Sequence, residues 1–169
     1  FQIAYHREQV NLELGENSLA EQRYPESQTA FEAAIQANPQ SLKAHYGLAL
    51  ALEQQNRLDE TQDILKRLDS IVPNVYNTNF ELARILFERR QILEAHKYAL
   101  KSLHWSQSPR TYDLLGRILL MEGKQTEAEK IFEEGLLLVP PDINERAAAD
   151  QIRLNLAALL ANRGSYDKC

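Results

Sequence analysis

Residues 109–141 read PRTYDLLGRILLMEGKQTEAEKIFEEGLLLVPP. Tyr112, Leu115, Leu119 and Leu120 recur at helical spacing in the first half, and Ala128, Ile131, Phe132, Leu136 and Leu138 in the second. Glu122-Gly123-Lys124 breaks the pattern where a glycine can take the left-handed conformation that ends a helix. Pro140-Pro141 stops the second helix, because proline has no amide hydrogen and its ring clashes with the preceding turn. Gly116, Ala128 and Gly135 let two backbones approach closely. The stretch therefore predicts one antiparallel helical hairpin, too small to bury its own apolar face.

The hairpin repeats. From the pair Leu115-Gly116, stepping back meets Leu82-Ala83, Leu48-Ala49 and Leu14-Gly15, at steps of 33, 34 and 34. Stop signals keep the same beat at Pro39, Pro73 and Pro140, with Gln107-Ser108-Pro109 covering the gap. A bulky residue follows each anchor at matched offset (Phe31, Leu65 and Phe132), with Ala99 in its place in the third copy. A small residue precedes it: Ser27, Thr61, Ala95 and Ala128. A period in this range means units that bury a continuous interior only by stacking, a solenoid.

These residues resemble the tetratricopeptide repeat, a helical hairpin of about 34 residues. Tyr112, Leu115, Gly116, Gly123, Ala128, Phe132 and Pro140 match its pattern best, with Gly135 in place of the last alanine. Leu14, Gly15, Tyr24, Phe31, Ala34 and Pro39 carry the first copy. The resemblance implies an all-α fold, an α-solenoid in a right-handed superhelix, with one domain over 1–169. Its repeats span about 8–41, 42–75, 76–108 and 109–142, with a truncated fifth over 150–169 in which Leu156-Ala157, Leu160, Gly164 and Tyr166 fit the first helix and the turn. Asn56 fills the usual glycine slot of the second copy, and Arg90 that of the third, which predicts a strained or differently shaped turn there. Pro25 fits the first turn of a helix. Between Leu115 and Leu156 lie seven residues more than the period. Asp142–Ala149 (DINERAAA) holds the excess, as a first helix lengthened by about two turns or, second, as a loop.

Composition narrows the function. The net charge of -5 speaks against nucleic acid, whose phosphates ask for a basic face. No apolar run reaches the roughly 18–20 residues of a membrane span. The chain reads as a fragment, with compartment open between bacterial cytoplasm and periplasm; a lone cysteine, Cys169, fixes no disulfide. His6, His45, His96 and His104 complete no metal-binding pattern, and no phosphate loop or nucleophile motif is present. No catalytic residue, cofactor or metal is expected, which leaves open an attached catalytic domain. Glu133-Glu134 and Asp59-Glu60 read as solvated surface. His45 and Trp105 read as packing residues.

In repeats of this kind the first helix lines a concave groove. Carried over by position, the resemblance implies partner contacts at Lys43 and Tyr46; at Asn77, Phe80, Arg84 and Phe87; and at Arg110, Asp113, Arg117 and Met121. Aromatic and arginine side chains dominate interface hot spots; the competing reading is that some of these positions, Phe80 and Phe87 above all, merely pack against the neighbouring repeat. The lysine–asparagine clamp by which some relatives hold chaperone tails is missing: its positions fall on Leu12, Glu16, Gly47, Asn77 and Glu81 in one register and on Tyr46, Leu50, Glu81, Arg110 and Leu114 in the next. The expectation is a non-catalytic scaffold for a protein or peptide partner bearing an acidic group, oriented by Arg84 and Arg117. The alternative is a substrate-recruiting or regulatory segment of a larger enzyme or of a bacterial pilus, polysaccharide-export or glycosyltransferase protein. Self-association through Leu156, Leu159 and Leu160 is a third possibility.

Overall fold

The computed structural model describes residues 2–73 and 76–166. Among them are nine helices: α1 (Gln2–Ala20), α2 (Tyr24–Ala37), α3 (Leu42–Gln54), α4 (Leu58–Ile71), α5 (Tyr76–Glu88), α6 (Ile92–Trp105), α7 (Pro109–Met121), α8 (Gln125–Leu136) and α9 (Ile143–Tyr166). Local chemistry sets their ends. Pro25 and Pro109 stand in first turns, where their missing amide hydrogens cost nothing. The Ser41 and Ser108 hydroxyls accept from the Ala44 and Thr111 amides at the starts of α3 and α7, each at 3.4 Å. Asp142 does the same for Glu145 at 2.9 Å.

The turns inside the hairpins share one geometry. Gln22, Asn56, Arg90 and Gly123 all have positive φ, from 58° to 76°. The residue after each donates to the carbonyl five positions back: Arg23 to Ser18, Arg57 to Leu52, Gln91 to Leu86 and Lys124 to Leu119. The left-handed residues themselves donate three positions back, which completes the Schellman pattern in all four. The turn at Arg90 is thus shaped like the others. Its cost is the left-handed backbone of a side-chain-bearing residue, and the hydrogen bonds that close the helix hold it there.

The chain divides into two compact units, residues 1–78 and 79–169. In the first, α1 packs on α2, α2 on α3 and α3 on α4. Leu12, Phe31, Ala34, Ala44, Leu48 and Leu52 form its core, with Ile35 and Ile64 against it. Phe31 sits between two glycines; a Cβ on Gly15 or Gly47 would come within 2.8 or 2.4 Å of its ring. Leu14, expected as an anchor, is 50% exposed, because α1 meets its neighbours through Leu12 and Gly15 and no described helix covers the Leu14 side.

In the second unit α7 is the hub, packing on α6, α8 and α9. Leu82, Ile85, Leu86, Leu115, Ile118, Phe132 and Ile152 are fully buried. Ala95, Ala99 and Ser102 form the buried line of α6. Trp105, expected in the core, is instead 56% exposed: α6 ends on it, so no further turn closes over the indole, whose ring stands edge-on to that of His104 at 5.2 Å. The seven extra residues are helical and do not form a loop: α9 begins at Ile143 and takes them into its first turns. It also runs unbroken through Gly164, so the turn expected there does not form. Of the three leucines suggested for self-association, Leu159 is buried, Leu156 half-buried and Leu160 exposed. Cys169 and the end of the second repeat at Asn74-Val75 lie outside the described residues.

Candidate functional site

The predicted contact residues fall into separate groups. Lys43, Tyr46 and Asn77 belong to the first unit and line a mainly apolar pocket of about 220 Å³ with Leu42, Leu68 and Thr78. The Lys43 ammonium is held by Glu16 at 2.7 Å.

Phe80, Arg84, Arg110, Asp113 and Arg117 belong to the second unit and come together in a cleft of about 500 Å³. One helical turn sets this convergence: Phe80 and Arg84 are four apart on α5, and Arg110, Asp113 and Arg117 are three and four apart on α7. The third wall is the start of α9, through Asn144, Ala147 and Ala148, with Leu114 of α7 adding an apolar contact. Those α9 residues lie within the seven-residue excess over the repeat period. The excess was legible in the sequence; which face it would wall was not. Glu145 locks this wall in place, because its carboxylate accepts from the Arg110 amide, one of the free donors in the first turn of α7, at 3.1 Å.

The arginines are not equivalent. Arg84 donates to Glu81 and Glu88 of its own helix, each contact at 2.8 Å. Arg117 meets Asp113 at 3.4 Å, and its guanidinium lies 5.0 Å from the centre of the Phe87 ring. Arg110 stacks on Phe80 at 4.5 Å, and its guanidinium makes no ion pair among the described residues. Asp113 is only 8% exposed and also accepts from Asn155 of α9 at 2.9 Å. Burial pushes its carboxyl above the usual value, while the Arg117 charge and the two hydrogen bonds pull the other way without prevailing. Met121 is 49% exposed, with its sulfur 3.8 Å from an Arg90 nitrogen.

A second polar cluster, foreseen by no motif, ties α6 to the end of α7. His96 Nδ1 lies 2.7 Å from Glu122, whose other oxygen is 2.8 Å from the Lys124 ammonium. Burial alone would raise the Glu122 carboxyl; its bonds to Lys124 and His96 and their charges outweigh that and hold it below its ordinary value. His45 is fully buried, with Nδ1 2.9 Å from the Ser41 carbonyl oxygen. Among the described residues no group of three or more His, Cys, Asp and Glu is placed to hold a metal ion, and no helix is long and apolar enough to cross a membrane.

Residues 12–74 match the family model for the tetratricopeptide repeat. The structure is similar to that of PilF from Pseudomonas aeruginosa, with a TM-score of 0.78 and 18% identity over 96% of this chain and 72% of that one. It is similar to MamA of Desulfovibrio magneticus RS-1, with a TM-score of 0.75 and 12% identity over 95% and 97% of the two chains. A chain of the APC/C hetero-tetramer Cut9–Hcn1 gives a TM-score of 0.76 and 20% identity over 95% of this chain, which spans 31% of that one. At such identities the likeness speaks for the fold alone. No curated protein sequence matches the chain. The fold class is therefore an all-α solenoid of tetratricopeptide-type hairpins. Repeats of this kind serve as protein–protein interaction scaffolds, generally without catalysis of their own.

Proposed function

We propose that this protein is a non-catalytic scaffold that takes a segment of a protein partner into the cleft between α5, α7 and the start of α9. The observation that carries the reading is the cleft's make-up. Ala147 and Ala148 give it an apolar wall, Phe80 and Leu114 lie buried beneath as its floor, and three arginines rim it, in a space sized for a few side chains. An apolar side chain of the partner would pack against Ala147 and Ala148 over that floor, and an acidic group beside it would meet the guanidinium rim.

A photo-reactive amino acid in place of Ala147, an exposed residue of the cleft wall, would trap the bound segment, which mass spectrometry then identifies. Calorimetric titration of that segment against wild type and the Arg84→Ala/Arg117→Ala variant tests the assignment. Weaker binding to the variant is expected; equal affinity would sink the cleft as the docking site.

A further inference from the structure

We infer that Arg110 is the anchor of the cleft, that it takes a single carboxylate of the partner, and that Asp113 is a built-in competitor which that carboxylate displaces from Arg117. The inference rests on the cleft being the docking site. It departs from the sequence reading, in which Arg84 and Arg117 orient the partner.

The argument begins with what each cation already holds. Arg84 is satisfied by two carboxylates of its own helix, at 2.8 Å each, so a ligand would have to break a chelate to recruit it. Arg117 is held by one carboxylate at 3.4 Å, a long contact that is open to exchange. Arg110 has only the face of Phe80, which orients the guanidinium without consuming a hydrogen of its fork. A carboxylate entering the cleft therefore gains most at Arg110 and next at Arg117.

Asp113 can give up Arg117 because it keeps a second partner. Asn155 donates to its other oxygen at 2.9 Å, so the displaced carboxylate is not left without a hydrogen bond in a buried place. Asn155 projects from α9, the helix whose lengthened start also walls the cleft. The exchange is one of like for like: a carboxylate leaves the Arg117 fork as another arrives.

The local charge selects a monoanion. Around the three arginines stand Asp113, Glu81, Glu88 and, at the α7 amide, Glu145. A dianionic phosphate would meet that ring of carboxylates with twice the charge, while a carboxylate matches the one guanidinium left without an ion pair.

The test follows the arginine Nε–H signals of Arg84, Arg110 and Arg117 and the methyl signals of Leu114, Ala147 and Ala148 by NMR. Acetyl-Leu-Glu-amide, acetyl-Leu-Gln-amide or acetyl-Leu-phosphoserine-amide is added at constant ionic strength and neutral pH. The glutamate compound should shift Arg110 and Arg117 saturably and more tightly than the other two. Arg110→Gln should weaken it at least about tenfold, the scale of one charge-assisted hydrogen-bonded contact. Arg110→Lys, which keeps the charge but loses the planar fork, should weaken it as well. Asp113→Asn, which frees Arg117, should tighten it about threefold, within the range for a partly exposed ion pair. Full affinity in both Arg110 variants, no tightening in Asp113→Asn, or a phosphoserine compound bound as tightly as the glutamate one would overturn the inference and leave the cleft as the site. Silence of every cleft signal with all three compounds would overturn the docking site and the inference together.

Discussion

Adding one methyl group at Gly116 tests how the repeats interlock. An alanine Cβ there would stand 2.2 Å from Phe132 Cε1 and 2.6 Å from both Cδ1 and Cζ, where relaxed carbon contacts lie at about 3.5–4.0 Å. The overlap exceeds an ångström, and the ring has nowhere to go: Phe132, its neighbour Ala128 and Ile118 on the facing helix are all fully buried. Overpacking costs about 1–3 kcal/mol in general, and this geometry puts Gly116→Ala at the upper end, about 3 kcal/mol. At roughly 2–4 °C per kcal/mol for a chain of this size, melting should fall by about 6–12 °C. The other repeats supply a remedy. Glycine faces phenylalanine in the pairs Gly15/Phe31 and Gly116/Phe132, while the positions at the same spacing in the other two repeats hold alanine with a smaller residue, Ala49 with Leu65 and Ala83 with Ala99. The double variant Gly116→Ala/Phe132→Leu imports the second repeat's own pairing. It should be more stable than the two single losses added together by at least about 1.5 kcal/mol, as expected for residues in direct contact. Urea denaturation followed by far-UV circular dichroism measures the cycle. Hydrogen exchange of the α8 amides shows whether the loss is local, since repeat proteins can unfold in parts. Additivity within about 0.5 kcal/mol, or a Gly116→Ala protein that melts with the wild type, would refute the reasoning.

Two further predictions concern the turns and the polar cluster. Arg90→Gly should stabilise the protein by about 0.5–1 kcal/mol, because relief of a left-handed backbone exceeds the entropy that glycine adds to the unfolded chain; a lower melting temperature would contradict the Schellman assignment at that turn. Glu122, whose folded-state carboxyl lies below its ordinary value of 4.5, favours the fold when ionised. That contribution is complete above the unfolded value and disappears as pH falls through the lower folded one. Glu122→Gln should therefore lose stability most near neutral pH and converge on the wild type in acid; urea curves separated by the same amount at every pH would refute this.

Much of the fold was written in the residue pattern, and for local reasons. Helix stops ahead of Pro39 and Pro73, the small-then-bulky beat from Ser27 and Phe31 to Ala128 and Phe132, and the left-handed slots at Asn56 and Gly123 are each decided by a few neighbouring residues, whereas α8 ends at Leu136, before the Leu138 and Pro140 that the pattern places at its close. Arg90 was read less well. An arginine in a glycine slot suggested a different turn, yet the two hydrogen bonds closing α5 impose the common one. Trp105 was misread because its spacing fits a buried face while the helix ends beneath it. The predicted contact positions were found by register, but register says nothing of their company.

That company is what tertiary structure alone decided. The sequence by itself determined a period, a hairpin in each period and the positions that repeat on every first helix, because these follow from side-chain volume and backbone conformation within some thirty residues. It could not tell Arg110 from Arg84 and Arg117, since all three are arginines on first helices. The difference lies in which carboxylate stands within reach, and Asn155, 42 residues beyond Asp113, reaches it only once α9 has packed on α7. Charge and burial at a site are sums over neighbours from distant parts of the chain, and those neighbours are assigned only when the chain folds.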